Sequence, residues 1–184
     1  MGWPPVSYMV MGQQPFETVV EAHHAEIYRY LVRVTTRPSE AEDLSQETFL
    51  RAYRAYRALT PDANVRAWLF TIATNLTRNH FRTEGRRRSA HAAFRETRSV
   101  LDGVDPEGEA RFSEARARLE AVVTGLPLKQ RLAFVLRKIH DFDYDVVAQN
   151  LHCSAESARA HVFQALKKIR LGLRDHELVA EPEP

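Results

Sequence analysis

Nowhere along the chain do apolar and polar residues sustain the alternation that a half-buried strand requires, whereas helical periodicity is common. That pattern restricts the chain to helix on helix, because a helix with one apolar stripe must bury it against another such stripe. From Pro15 to about Val34 the stripe is Phe16, Val19, Val20, Ile27, Leu31 and Val34. Pro38 is expected to stop this helix, since the residue before a proline disfavours helical backbone. Ser39 followed by Glu42 reads as a capping box that opens the next helix. Its predicted seam is Ala41, Leu44, Thr48, Ala52, Ala55 and Leu59. After the turn TPDAN, a third helix carries Val65, Trp68, Leu69, Ile72, Ala73 and Leu76 inward and runs into the basic stretch RTEGRRR.

From Ser89 to about Gly108 the periodicity weakens, and SVLDGVDPEGE reads as a linker. Helices resume at Arg111 to Thr124, with Phe112, Ala115, Leu119 and Val122 inward, and at Pro127 to Ile139, where Pro127 suits the first helical position. Asp143 is expected to cap the short helix YDVVAQNL. The turn HCS follows, and Ser154 caps a last helix with Ala158, Val162, Ala165 and Ile169 inward. Two helices across a tight turn, the second longer and basic at its end, form a helix-turn-helix pattern. The expected fold is therefore all-α: two small helical domains, residues 12–88 and 110–175, joined by an acidic flexible linker at 89–109.

Net charge is only +2, but its distribution is uneven. Arg82, Arg86, Arg87 and Arg88 form one basic cluster and Lys167, Lys168, Arg170 and Arg174 another; acids gather at Glu40 to Glu47 and at Asp102 to Glu109. Partners of both signs are expected. The single cysteine, Cys153, excludes an internal disulfide and fits a reducing cytosol. No apolar run approaches the roughly 20 residues that span a bilayer, and MGWPPVSYMVMGQQP lacks the charged and apolar regions of a signal peptide. A cytoplasmic chain without membrane insertion is the expectation; the tail EPEP reads as disordered.

Three surfaces can carry function. On the last helix, Glu156, Ser157, Arg159, Ala160, His161, Gln164 and Lys167 point outward. Arginine, glutamine, serine and histidine reach base edges or phosphates in a major groove, and Ser154 with the helix N-terminus can hold a phosphate. The plain alternative is a helical hairpin inside a bundle. In and beside TRNHFRTEGRRR, Arg78, Arg82, Arg86, Arg87 and Arg88 suit phosphate contacts, while Asn75, Asn79 and His80 add base-edge donors and acceptors. Tyr53, Tyr56, Trp68 and Phe81 lie nearby in sequence, as a stacking site for unpaired bases needs. Against this, Trp68 falls on the apolar stripe, and an arginine run often marks only a solvated helix end. Third, Asp43, Gln46 and Glu47 share a face off the seam of the second helix. Dipole compensation explains acids in a first turn, such as Glu40 and Glu42, but not Glu47, two turns in.

Enzyme chemistry finds no support. His23 and His24 are adjacent and point apart, His152 and Cys153 have no second ligand pair, and there is no glycine-rich phosphate loop or oriented nucleophile set. No catalytic residue, metal or cofactor is expected.

The stretches AEDLSQETFLRAYRAY, VRAWLFTIATNLTRNHFR, DPEGE, LPLKQRLAFVLRKIHDFDYDVVAQNLHCS and ALKKIR, in this order over residues 14–174, resemble extracytoplasmic-function sigma factors of bacterial RNA polymerase. The resemblance implies a non-catalytic initiation subunit whose partners are core RNA polymerase and promoter DNA. It places Asp43, Gln46, Glu47, Leu50 and Arg51 against the clamp helices of the largest subunit. It places Asn64, Arg66, Asn75, Arg78, Asn79, Arg82 and Arg86 on the minus-10 element, near a pocket for a flipped base. Ser154, Glu156, Ser157, Arg159, His161, Gln164 and Lys167 would face the minus-35 groove, the second domain lying at the flap of the second-largest subunit. The linker would pass near the polymerase active site. Whether an anti-sigma factor holds the chain off stays open, as does a stand-alone helix-turn-helix regulator that binds duplex DNA unaided.

The chain departs from that pattern in places. The family often has Arg at Thr74 and Asp at Asn79, changes expected to alter surface donors only. It often has Gly at Asp141 and His152, so His152 must take a less favourable φ or rearrange the turn. Arg is common at His161, Gln164 and Leu166; protonation of His161 at low pH would restore some of that charge.

Overall fold

A computed structural model describes residues 14–91 and 119–177, with side-chain surroundings over 14–86 and 119–173. The acids at Asp102 to Glu109, the inward residues Phe112 and Ala115, the tail EPEP and the side chains of Arg87, Arg88 and Arg174 lie outside these ranges. Every element among the described residues is helical. The chain divides into two compact units after Leu76, inside the third helix.

Helix α1 (Phe16–Thr35) buries Val19, Ile27, Tyr30, Leu31 and Val34. It ends where Thr36 turns left-handed (φ 62°) and its N–H reaches the Val32 carbonyl at 2.8 Å. Helix α2 (Pro38–Tyr56) starts one residue before the expected cap. Proline forces Arg37 into extended backbone (φ −131°, ψ 113°) and itself supplies the first helical φ, so it opens α2 rather than merely ending α1. Ser39 is exposed and inside the first turn, and no side chain caps the helix; there is no capping box. Arg37 instead pairs with Glu40 at 2.6 Å.

Ala41, Leu44, Thr48 and Ala52 form the seam of α2 as expected, but its far end is Tyr56, with Ser45 and Phe49 filling the neighbouring column. Ala55 is exposed and Leu59 lies beyond the helix, half-buried. Helix α3 (Val65–His91) starts at Asn64, whose Oδ1 accepts the Ala67 N–H at 2.9 Å, and continues through residues 89–91. Leu69, Phe70, Ala73, Thr74, Leu76 and Thr77 are its buried residues, while Val65, Trp68 and Ile72 are half-buried.

Thr74 corrects the sequence reading. It is fully buried, not a surface donor, and its Oγ1 lies 2.8 Å from the Tyr30 hydroxyl of α1. Thr74 is four residues past Phe70, on the face packed against α1; the Tyr30 and Phe70 rings are 5.0 Å apart. A hydroxyl in a dry core needs a partner, and the two side chains supply each other's. Burial pushes the Tyr30 phenol well above its ordinary pKa, the Thr74 bond opposing that in part.

In the second unit, α4 (119–124) leads through Gly125 to α5 (Leu128–Phe134). The buried Arg131 donates to the Thr124 and Leu126 carbonyls (2.6 and 3.3 Å) and so closes the end of α4. Pro127 precedes α5 rather than occupying its first position. The helix then widens into a π turn over Val135–Ile139, with the His140 N–H on the Val135 carbonyl at 3.1 Å.

Helix α6 (Tyr144–Leu151) follows Asp143, whose carbonyl accepts the Val147 N–H (3.0 Å). Its carboxylate makes no cap bond, contrary to expectation. Ser154 does cap α7 (Ala155–Glu177), its Oγ accepting the Ser157 N–H at 3.1 Å. Leu126, Ala165 and Ile169 pack with Val122, Val123, Phe134 and Leu173, and Leu132, Leu136, Val147, Leu151, Ala158 and Val162 are buried in the same unit.

Asp141, ahead of α6, and His152, in the turn between α6 and α7, both take left-handed backbone (φ 55° and 51°), so each keeps a glycine-like conformation without glycine. His152→Gly is expected to stabilise the fold by about 0.5–1 kcal/mol, relief of strain outweighing the freer unfolded chain. Asp141→Gly should gain less, since it deletes the Arg137 pair (2.8 Å). Tyr30→Phe and Thr74→Val should each cost about 1–2 kcal/mol, and the double variant less than their sum. Urea denaturation of each variant checks these values.

Candidate functional site

The face of α2 opposite its seam carries Asp43, Gln46, Leu50 and Tyr53 in one stripe at helical spacing, with Glu47 and Arg51 beside it. Gln46 Nε2 donates to Glu42 at 3.1 Å, and Arg51 Nε donates to Glu47 at 2.6 Å. Leu50 is 45% exposed and Tyr53 59% exposed, so the stripe has an apolar centre beside carboxylates. Tyr53 meets Phe16 edge-on at 5.5 Å. Sequence reasoning grouped Tyr53 with the stacking aromatics of the basic helix; its place on this face was readable from its position three residues past Leu50. Tyr56 is buried and donates its O–H to the Gln14 carbonyl (3.0 Å), and Trp68 is half-buried beside it. Both belong to the packing, as the apolar stripe implied for Trp68.

The residues expected on minus-10 DNA fall into two groups. Asn64 holds its side-chain oxygen on the start of α3. Arg66 forms a fork with Glu26 of α1, its Nε at 3.0 Å from Oε2 and its Nη2 at 2.5 Å from Oε1, and lies 5.3 Å over the Phe70 ring. A two-pronged pair of this kind is geometrically specific and fixes the end of α3 on α1. Burial lowers the neighbouring His23 below its ordinary pKa, with Glu26 opposing and Arg66 adding to the shift. Asn75, Asn79, Arg82 and Arg86 instead recur along one face of α3; Asn79, Arg82 and Arg86 are exposed, Asn75 and Arg78 half-buried.

On α7, Glu156, Arg159, Gln164 and Lys167 are exposed, and Ser157 and His161 half-buried. The Ser154 hydroxyl serves the helix cap and also contacts Ser157 Oγ at 3.0 Å, so both serines are engaged within the turn. The sequence reading passed over Phe163, which is 63% exposed one turn after Arg159 and one turn before Lys167. Burial lowers the His161 pKa and the Lys129 charge lowers it further. The expected low-pH charge on His161 is therefore opposed by its surroundings.

Among the described residues no group of His, Cys, Asp and Glu is arranged to hold a metal, and no helix is long and apolar enough to cross a membrane. Among the described residues there are thus two helical units, one with an exposed acid-flanked stripe and a polar-basic helix and the other with a helix-turn-helix. The chain belongs to the sigma-70 family, matching Sigma-70 region 2 over residues 19–87 and Sigma-70, region 4 over residues 116–169, and is of the extracytoplasmic-function type.

It is 28% identical to the RNA polymerase sigma-H factor of Pseudomonas aeruginosa over 88% of each chain. It is 27% identical to the ECF RNA polymerase sigma factor SigW of Bacillus subtilis, covering 89% of this chain and 91% of that one. Its fold resembles that of the sigma factor RpoE, solved with the anti-sigma factor NepR from Bartonella quintana, at a TM-score of 0.70 and 21% identity over 86% of this chain and 96% of that one. Sigma factors of this family bind core RNA polymerase and promoter DNA and direct promoter-specific initiation, and this chain is one of them.

Because folding holds His161 and His23 below the usual value of 6.5, the unfolded chain takes up protons first as pH falls. Their stabilising contribution is complete above that value and is lost as pH falls below it. Urea denaturation at about pH 7.5 and 5.5 should show stability decreasing on acidification, and less steeply in His161→Gln.

Proposed function

We propose that the α2 stripe of Asp43, Gln46, Glu47, Leu50 and Arg51 docks on the clamp helices of the polymerase largest subunit. The observation that carries this reading is Leu50, a large aliphatic side chain left in water among acidic and amide groups where a basic helical partner would cover it. Tyr53 extends the same surface. In this reading residues 12–88 form the module for core docking and minus-10 recognition, 89–109 a connecting linker, and 110–175 the minus-35 module lying at the flap of the second-largest subunit. Asn75, Arg78, Asn79, Arg82 and Arg86 face the minus-10 strand, while Asn64 and Arg66 hold α3 in place for them. Ser154, Glu156, Ser157, Arg159, His161, Gln164 and Lys167 line the minus-35 groove, with Ser154 and Ser157 shaping the turn.

The chain performs no catalysis of its own, uses no cofactor and acts in the cytoplasm. A regulator of the kind seen with RpoE, an anti-sigma factor, is a partner we extend to it from that likeness. The rival is a helix-turn-helix regulator that works without polymerase; it leaves the α2 stripe without a role. A gel shift separates them, because a regulator retards duplex DNA alone and a sigma factor requires core.

Asp43→Arg should abolish co-purification with core polymerase while leaving the unfolding free energy from urea denaturation within about 0.5 kcal/mol of wild type. Wild-type yield of the complex would refute the docking assignment. Asn75→Ala should reduce strand opening, read by permanganate reactivity of the promoter, more than it reduces core binding.

A further inference from the structure

We propose that Tyr144, at the start of α6, is a positioning residue for Arg159 in the reading of minus-35 DNA. The proposal rests on the reading that α7 enters the major groove. The Arg159 guanidinium carbon lies 5.0 Å from the centre of the Tyr144 ring, and that of Arg137 lies 5.1 Å from the same ring. Arg137 is itself anchored: its Nη1 donates to Asp141 Oδ1 at 2.8 Å and to the Phe142 carbonyl at 3.3 Å. Asp141 offsets the Arg137 charge, which lets one ring accept two cations. The result is a stack running from the π turn through α6 to α7.

Arg159 differs from Arg137 in having no hydrogen-bond or carboxylate partner among the described residues. A guanidinium lying on an aromatic ring keeps the N–H groups at its edge available, because stacking uses its face and hydrogen bonding uses its plane. Arg159 sits in the second turn of α7, where a recognition helix reaches base edges. A guanidinium held in one plane there matches the paired acceptors O6 and N7 of a guanine. Without the ring, the flexible side chain would share its time between that base and the neighbouring phosphates.

The test is run-off transcription with core polymerase on a promoter library randomised through the minus-35 element. The sigma proteins compared are wild type, Tyr144→Phe, Tyr144→Leu, Arg159→Ala and the Tyr144→Leu/Arg159→Ala double variant, with thermal melts of each full chain. Arg159→Ala should flatten the preference at one guanine. Tyr144→Leu should weaken that same preference by roughly two- to fivefold and leave other positions unchanged, and Tyr144→Phe should retain it. The double variant should be no worse than Arg159→Ala. If Tyr144→Leu melts early, Tyr144→Met takes its place.

An unaltered profile for Tyr144→Leu, or equal loss at every position, overturns the proposal; the second outcome would mark a phosphate contact or a purely structural ring. If Arg159→Ala keeps full guanine preference, the proposal falls while the minus-35 role of α7 stands on its other positions. A wild-type protein that shows no minus-35 preference at all would overturn the underlying reading instead.

Discussion

Short helices do not hold together alone in water, so each element of this chain is fixed by the stripe it buries against another. That requirement decides which residues are left to meet a partner. In α2 the seam from Ala41 to Tyr56 faces the core, and Asp43, Gln46, Leu50 and Tyr53 remain outside. In α7, Ala158, Val162, Ala165 and Ile169 are buried, and Arg159, Phe163, Gln164 and Lys167 remain. The faces proposed to meet partners are the complements of the packing faces. A substitution on the buried side therefore acts on function only by turning or melting the helix that displays the other side.

The side chains expected to meet partners are of two physical kinds. Some have already made their bonds within the fold: Asn64 on the start of α3, Arg66 on Glu26, Ser154 and Ser157 on one another. Others are displayed, such as Asn79, Arg82, Arg86 and Lys167. The first kind set the angle and end of a helix, and the second project from it. A loop or helix end presents donors reproducibly only when its own backbone groups are satisfied, so the two kinds depend on each other.

Much of this was legible in the sequence. Helical periodicity gave the elements, and residues spaced by three or four gave the α2 stripe and the outer face of α7. The features that could not be read depended on contacts distant along the chain. Thr74 is polar and looked like a surface position, but its partner, Tyr30, is 44 residues away. The family resemblance put Arg66 on nucleic acid, and it could not show that Glu26 answers the charge from another helix. Ser39 and Glu42 matched a local capping rule, and proline one residue earlier overrode it. Phe163 was left out of the outward face, which was read for polar side chains alone, yet solvent covers most of its side chain.

The π turn at Val135–Ile139 has a consequence for how the chain tolerates insertions and deletions. Such a turn accommodates one residue more than a regular helix over the same stretch, and each residue turns the downstream chain by about 100° about the axis. Arg137 sits inside it and reaches both Asp141 and the Tyr144 ring. Removing a single residue here would let the wide turn close into a regular helix and leave the segment leading to α6 in nearly its present phase, whereas the same deletion in the regular part of α5 would swing that segment by about 100°. The turn is thus a store of slack in the chain, one place where a residue can be lost without re-aiming α6 and α7.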